Sequence, residues 1–373
     1  LWTERGPDLS YISAGVPWYD TLFGRDSALA AMMTLALKPQ LARDVLRCLT
    51  HLQGKVMDPA REEEPGKIVH EVRQSEMANT GEVVFGRYYG SVDSTPLFVL
   101  LAAEYYRWTG DLELMQELQS AIDAALVWME RYGDLGGDGY LEYAKKTPRG
   151  LDNQGWKDSW DGIVDEEGNP LGPPIALVEV QGYMYAAKKG IADVYEALGD
   201  PERARQLREE AITLRRRINA DFWMPEGYYA LALDADKKPA RVVTSNAGQL
   251  LWSGVPSQAR ARRQIDRTMR NDMFSGWGIR TISSSARRYN PMGYHLGTIW
   301  PHDNALIMAG FKRYGAEAEL NEIATAICDA AFVFPYYRLP ELFSGSPRSA
   351  HHAPVPYPVA CRPQAFAAAT LPS

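Results

Sequence analysis

The chain is a succession of paired segments with helical periodicity, each pair closed by a short connector and parted from the next by a long one. Apolar residues recur at helical spacing over 27–37 and 41–52, with Pro39 between them. The pattern repeats over 95–108 and 112–132 around Thr109-Gly110-Asp111, then over 175–198 and 201–222 around Gly199-Asp200. Weaker pairs follow at 245–252 with 257–269 and at 302–314 with 316–332. A last start, from Pro363 through 364–369, has no partner, so the sequence predicts five helical hairpins and the opening of a sixth.

First helices start about 60 to 85 residues apart, too far for a tetratricopeptide array. Each start carries polar residues: Gly24-Arg25-Asp26-Ser27, Asp93-Ser94-Thr95, Ser245-Asn246 and His302-Asp303-Asn304. Asp, Ser or Asn there is expected to cap unpaired helix N–H groups. Parallel first helices lining a ring would open all their N-termini, and all the long connections, on one rim, where loops on a rigid scaffold usually build sites. The fold expected is all-α, an (α/α)6 toroid with its last hairpin incomplete; a superhelical solenoid is the alternative. Residues 1–373 read as one catalytic domain shortened at both ends, since the chain opens on Leu1 and stops at Ser373 just after a helix begins. A small β element is expected near 227–232.

Composition removes several classes. With 46% hydrophobic and 23% charged residues the chain is not disordered. A net charge of −7 and the lack of a basic stripe beyond 215–217 argue against nucleic acid. No apolar run is long enough to span a membrane. Cys48, Cys328 and Cys361 are too few and scattered for a disulfide framework or a zinc site, which suits buried thiols in a reducing, cytoplasmic setting. Six histidines without paired spacing make a metal at His302 unfavourable, and no phosphate-cradling glycine loop or Gly-x-Ser-x-Gly elbow is present. Neither metal nor organic cofactor is expected, and oligomeric state is not specified.

The densest polar and aromatic stretch is 150–162, Gly-Leu-Asp-Asn-Gln-Gly-Trp-Lys-Asp-Ser-Trp-Asp-Gly. One reading is a surface turn with capping aspartates. The other is a sugar site, in which Trp156 and Trp160 stack on pyranose faces while carboxylates and amides bind hydroxyls. A carboxyl between indoles is partly desolvated and keeps a proton for general-acid work. Asp158 fits that place, with Asp161 as its rival. The second carboxylate that glycoside hydrolysis requires is best met by Glu341 in Leu339-Pro340-Glu341-Leu342-Phe343, unless it serves as a helix cap or surface ion pair.

Four motifs, Gly24-Arg25-Asp26-Ser27-Ala28-Leu29, Asn153-Gln154-Gly155-Trp156-Lys157-Asp158-Ser159, Gly297 to Leu306 and Leu339 to Phe343, occur in an order that resembles the bacterial amylo-α-1,6-glucosidase, glycogen-debranching-like family. That family is related to glucoamylases, trehalases and the mannosylglycerate and glucosylglycerate hydrolases. The resemblance implies a six-hairpin glycosidase using an inverting mechanism, with Asp158 as general acid and Glu341 as general base. It implies an α-linked glucan or glucoside as substrate, or alternatively a glucosylglycerate, mannosylglycerate or trehalose. A glycerate would need a cation, for which Lys157, Arg73 and Arg348 are the sources considered.

Arg25 and Asp26 resemble the pair with which glucoamylase-like enzymes grip the non-reducing sugar, although an N-cap and a surface arginine would look the same. Trp18, Tyr19 and Phe23 are candidates for a stacking wall, and Trp300, His302 and Asp303 for the same rim. Asp93 is a cap or a sugar ligand; Gln154, Lys157, Glu179 and Gln181 are further candidates for contact with the sugar. His70 to Arg73 is either a strap over the pocket or a solvated loop, and the run 61–64 reads as a solvated loop. A toroid that binds carbohydrate without catalysis is the competing reading from another class; the presence of both carboxylates speaks against it.

Overall fold

The computed structural model describes residues 1–4 and 10–371. Helix α1 (Gly24–Met33) turns into α2 (Pro39–His51), and a one-turn helix α3 (Glu76–Asn79) lies in the long connection that follows. Then come the hairpins α4 (Ser94–Thr109) with α5 (Leu112–Arg131), α6 (Val178–Ala197) with α7 (Pro201–Asp221), and α8 (Asn246–Ser253) with α9 (Gln258–Thr268). The last are α10 (Pro301–Arg313) with α11 (Glu317–Val333), and the short α12 (Ala365–Ala369).

The first helices form a closed ring. In chain order α1, α4, α6, α8, α10 and α12 each touch the next, and α12 touches α1. Their partners pack outside, α7 on α6, α9 on α8 and α11 on α10. This is the (α/α)6 toroid, and ring closure removes the solenoid alternative. The two rings differ in composition. Helix α4 buries Leu97, Phe98, Val99, Leu100 and Leu101 in succession, as a helix enclosed on all sides must. Helix α7, in contrast, buries only Ala204, Leu207, Ala211, Leu214 and Ile218, one stripe of an otherwise charged rod.

The rings also start differently, which corrects the capping expectation. Asp111, Asp200 and Ser257 cap the outer helices α5, α7 and α9 through their side chains. At the inner helices, Phe23, Asp93, Ser245 and Trp300 stand at the N-cap and none supplies a side-chain cap. The polar side chains at those starts are therefore free for other use.

Helix α1 begins at Gly24, not Ser27, and ends at Met33, because Thr34 turns back onto the Ala30 carbonyl at 2.8 Å ahead of Pro39 at the start of α2. A four-stranded sheet absent from the sequence reading covers the rim: β1 (Trp2–Glu4), β2 (Ser10–Gly15), β3 (Tyr19–Phe23) and β4 (Glu71–Val72), all antiparallel. Its strands are short and mix periods, so no period-2 signal stands out. The expected β element lies slightly later, at β6 (Ala232–Leu233), paired with β5 (Ala176–Leu177). Of the run 61–64 only Arg61 is solvated: Glu62, Glu63 and Glu64 are buried, with Glu64 paired to Lys67 and Lys146. Of three free thiols, Cys48 and Cys361 are buried and Cys328 is exposed. Among the described residues no helix is long and apolar enough to cross a membrane.

Candidate active site

The N-termini of the inner helices and the long loops before them enclose a pocket of about 150 Å³. Tyr19 and Phe23 come from β3, Arg25 and Asp26 from the first turn of α1, and His70, Glu71 and Arg73 from β4 and its flanks. Trp156 and Asp158 come from the loop after α5, Trp300 and His302 from the start of α10, and Glu341 from the loop after α11. Asp158 and Glu341, far apart in sequence, thus face one hollow. A larger groove, about 410 Å³, lies toward the C-terminal ends of α1, α4 and α8, but no carboxylate lines it.

Arg25 organises the floor. Its Nη1 donates to Asp93 Oδ2 at 3.1 Å and to the Gly155 carbonyl at 2.9 Å, and its Nη2 donates to Asp158 Oδ2 at 3.0 Å. The fork is consumed by protein, so Arg25 holds the Asp158 loop where the sequence reading expected a grip on sugar. Burial raises the Asp158 pKa while Arg25 pulls it down, with the net shift upward.

Glu341 is buried. Tyr294 OH donates to its Oε1 and the Cys361 amide to its Oε2 at 2.9 Å. Burial pushes its pKa up against those two hydrogen bonds, and the Asp158 charge adds to the rise. Tyr19, raised to about 12 by burial and by the charges of Glu341 and Asp158, senses both carboxylates at once. Asp26, whose Oδ1 accepts from Gln364 Nε2 at 3.2 Å, is pushed up to about 7 by burial and by the surrounding carboxylates, against Arg25.

Several lining groups have polar atoms without a hydrogen-bond partner among the described residues: His70 Nδ1, Trp156 Nε1, His295 Nε2, His302 Nδ1 and Gln364 Oε1. Burial holds the three histidines well below their ordinary pKa, so they are neutral and can donate or accept. Trp156, Trp300, His302 and Phe366 pack edge to face or tilted against one another, giving the pocket an aromatic wall. These unpaired donors and acceptors are buried beside the aromatic faces that line the pocket.

The other expected site residues stand elsewhere. Asp93 is fully buried between Arg25 and Ser91, and Gln154 donates to Glu62 Oε2 at 2.7 Å. Lys157 donates to the Thr281 carbonyl at 2.6 Å. Gln181 bonds the Leu141 backbone in both directions, and Asp303 accepts from Gln249 at 2.5 Å. Glu179 is also buried behind the wall. These six are corrections: their polar ends are taken up by, or enclosed in, protein behind the lining. Trp18, Trp160 and Asp161 are corrections of the opposite kind, outside the pocket. Trp18 and Trp160 are exposed; the Trp18 indole donates to the Val359 carbonyl, and Asp161 lies 3.5 Å from Arg288.

Sequence reasoning missed Tyr294, His295, Gln364 and Phe366. Tyr294 and His295 lie between Gly293 and Gly297, just ahead of a motif it had singled out, and Gln364 opens the last inner helix. Gly15 lets Gln364 approach closely, because a Cβ there would sit 1.7 Å from Gln364 Oε1. The described residues also bring carboxylate oxygens of Asp134, Asp138 and Glu142 within 4.8 Å, but Lys237 already pairs with two of them and none lines the pocket.

A family profile described as the mannosylglycerate hydrolase MGH1-like glycoside hydrolase domain matches residues 19–333. The chain belongs to this family. It is therefore a glycoside hydrolase. Solved structures agree on the fold. The mannosylglycerate hydrolase of family GH63 from Thermus thermophilus, in complex with Tris, superposes with a TM-score of 0.73 at 16% identity, covering 99% of this chain and 96% of that one. Its complex with Tris and D-glycerate gives 0.71 at 16% identity over the same shares. The complex with glucose gives 0.69 at 16% identity, over 97% and 95%. No curated protein matches the sequence.

Proposed function

We propose that this hydrolase cleaves a small α-glycoside of the mannosylglycerate or glucosylglycerate kind with inversion, Asp158 protonating the glycosidic oxygen and Glu341 activating water. The observation that carries the reading is the meeting of these two carboxylates, from loops after the second and fifth hairpins, in one pocket. Burial moves the Asp158 pKa upward, the direction a general acid needs. Glu341 is held in place by hydrogen bonds to both carboxylate oxygens, from Tyr294 OH and the Cys361 amide. Inverting pairs stand about 6.5–9.5 Å apart, which leaves room for that water. Trp156 and Trp300 stack on the sugar, and Asp26, the neutral histidines and Gln364 bind its hydroxyls.

A glycerate-type aglycone is favoured over an α-1,6-glucan by Arg73. Its Nε donates to Glu71 Oε2 at 2.6 Å, while its two terminal nitrogens have no hydrogen-bond partner among the described residues. Arg73 also stands between the pocket and an open cleft of about 710 Å³ that Arg61, Arg87 and Arg149 line. A cationic exit suits a leaving group that carries a carboxylate. Lys157 and Arg348 do not serve: the first is buried behind the wall, and the second pairs with Asp329. The related structure containing D-glycerate supports the same choice. Incubation with α-mannosylglycerate, α-glucosylglycerate, trehalose and an α-1,6-branched dextrin, followed by NMR of the first sugar released, tests it. The β-anomer from a glycerate conjugate is expected; a retained α-anomer, or activity on the dextrin alone, overturns it.

A further inference from the structure

Lys157, the neighbour of Asp158 in the chain, turns away from the sugar pocket. Its side chain is buried, its ammonium lies 5.2 Å from the Trp156 ring centroid, and Nζ donates to the Thr281 carbonyl at 2.6 Å, across 124 positions of sequence. A buried lysine is expensive to desolvate, and nearby charge has to offset this. Here burial pulls its pKa down while Asp303 and Glu179 push it back. Glu179 and Asp303 are themselves buried, and they are the carboxylates whose charge acts on the ammonium in that interior.

The residue that Lys157 grips belongs to a short ladder. Thr281 receives the Gly297 amide on its Oγ1 at 2.8 Å and donates its own amide to the Thr298 carbonyl at 3.0 Å. Ile299 and Phe343 then exchange both backbone hydrogen bonds, at 2.8 and 3.0 Å. Phe343 lies two residues beyond Glu341. Hydrogen bonds and the Thr298–Ile299 peptide link therefore join the acid loop, through the Lys157 side chain, to the segment that carries the other carboxylate; Ser159 Oγ, 2.8 Å from His295 Nδ1, is a second tie from the same loop.

We propose that Lys157 is a positioning residue, whose buried ammonium clamps the loop bearing Asp158 to the ladder bearing Glu341 and so fixes where the acid meets the glycosidic oxygen. This rests on the assignment of Asp158 and Glu341 given above. A methionine of similar length would fill the space but donate nothing, letting the loop drift. A displacement of about 1 Å at a reacting group can reduce rate about 100-fold. The loss should depend on the leaving group: a glycerate alkoxide needs the proton from Asp158, whereas fluoride departs with little protonic help.

The test compares Lys157→Met with wild type on the glycerate conjugate that the wild-type enzyme hydrolyses and on the matching α-glycosyl fluoride. We expect kcat on the conjugate to fall about 10- to 100-fold with KM within about threefold, and kcat on the fluoride to fall less than about threefold. In an Asp158→Asn background, Lys157→Met should lower kcat on the conjugate no further, because it acts through Asp158. Equal losses on both substrates, or an undiminished extra loss in that background, overturn the role. Should Lys157→Met not fold, Lys157→Met/Glu179→Gln removes the companion charge and is read in the same assays. A wild-type enzyme inert on both conjugates and both fluorides would strike the reaction and this role together; an active wild type with equal losses strikes Lys157 alone.

Discussion

Replacing Arg25 with methionine probes the floor of the site and the acid together. Asp93 is fully buried, and Arg25 is the cation paired with it. Removing one partner of a buried ion pair destabilises by about 3–5 kcal/mol, since the remaining charge is uncompensated. The Asp158 side chain is 27% exposed, so water screens its share of the loss and most of the effect comes from Asp93. Urea unfolding at pH 7 should show a loss of that size for Arg25→Met. Asp93→Asn in the same chain should add little, because it removes the stranded charge. The activity profile supplies an independent reading. Arg25 pulls the Asp158 pKa down, so without it the acid stays protonated to higher pH. The alkaline limb of kcat/KM should then move to higher pH. Stability within about 1 kcal/mol of wild type, additive losses in the double variant, or a limb that stays or moves down would refute the reasoning.

Asp158→Asn and Glu341→Gln should each lower kcat about 100- to 10,000-fold with the unfolding midpoint kept, whereas Asp161→Asn, paired with Arg288 outside the pocket, should stay within about twofold; a large loss at Asp161 would move the acid. Arg73→Met should raise KM for the glycerate conjugate about 10- to 100-fold, the worth of one hydrogen bond to a charged group, and leave the glycosyl fluoride unaffected; parallel changes on both would remove the aglycone role. Asp26 has an ordinary pKa of 3.8 that the fold raises to about 7. Its protonated form is the one the native state favours, so its contribution is whole below about pH 4 and is lost as pH rises through 7. Asp26→Asn should flatten that part of the unfolding midpoint's decline between pH 4 and 7, and an unchanged slope would contradict the shift.

The toroid was legible because helical periodicity is local. Pro39, Gly110 and Gly199 punctuate the hairpins, and the alternation of short and long connectors places the inner-helix starts on one rim. Asp158 and Glu341 stood out as candidates for a related reason: a carboxyl set among tryptophan and glycine, or in a Pro-rich loop, has no place in an outer helix. The direction in which a polar side chain points was not legible. Gln154, Lys157, Glu179 and Asp303 carry the same chemistry as the residues that line the pocket, and only tertiary packing turns them into the protein behind it. Tyr294, His295 and Gln364 carry no local signal of their own, since pocket lining is set by which loops meet.

The order of residues determined a ring of helical hairpins and the two acidic groups at its mouth, because periodicity, punctuation and residue chemistry act over a few neighbouring positions. Tertiary structure alone decided that Arg25 spends its fork on Asp93 and Asp158, that Lys157 reaches Thr281, and that β4 brings Arg73 beside the pocket. Those contacts join segments tens to more than a hundred residues apart. Closure of the ring fixes them, and no local propensity encodes it.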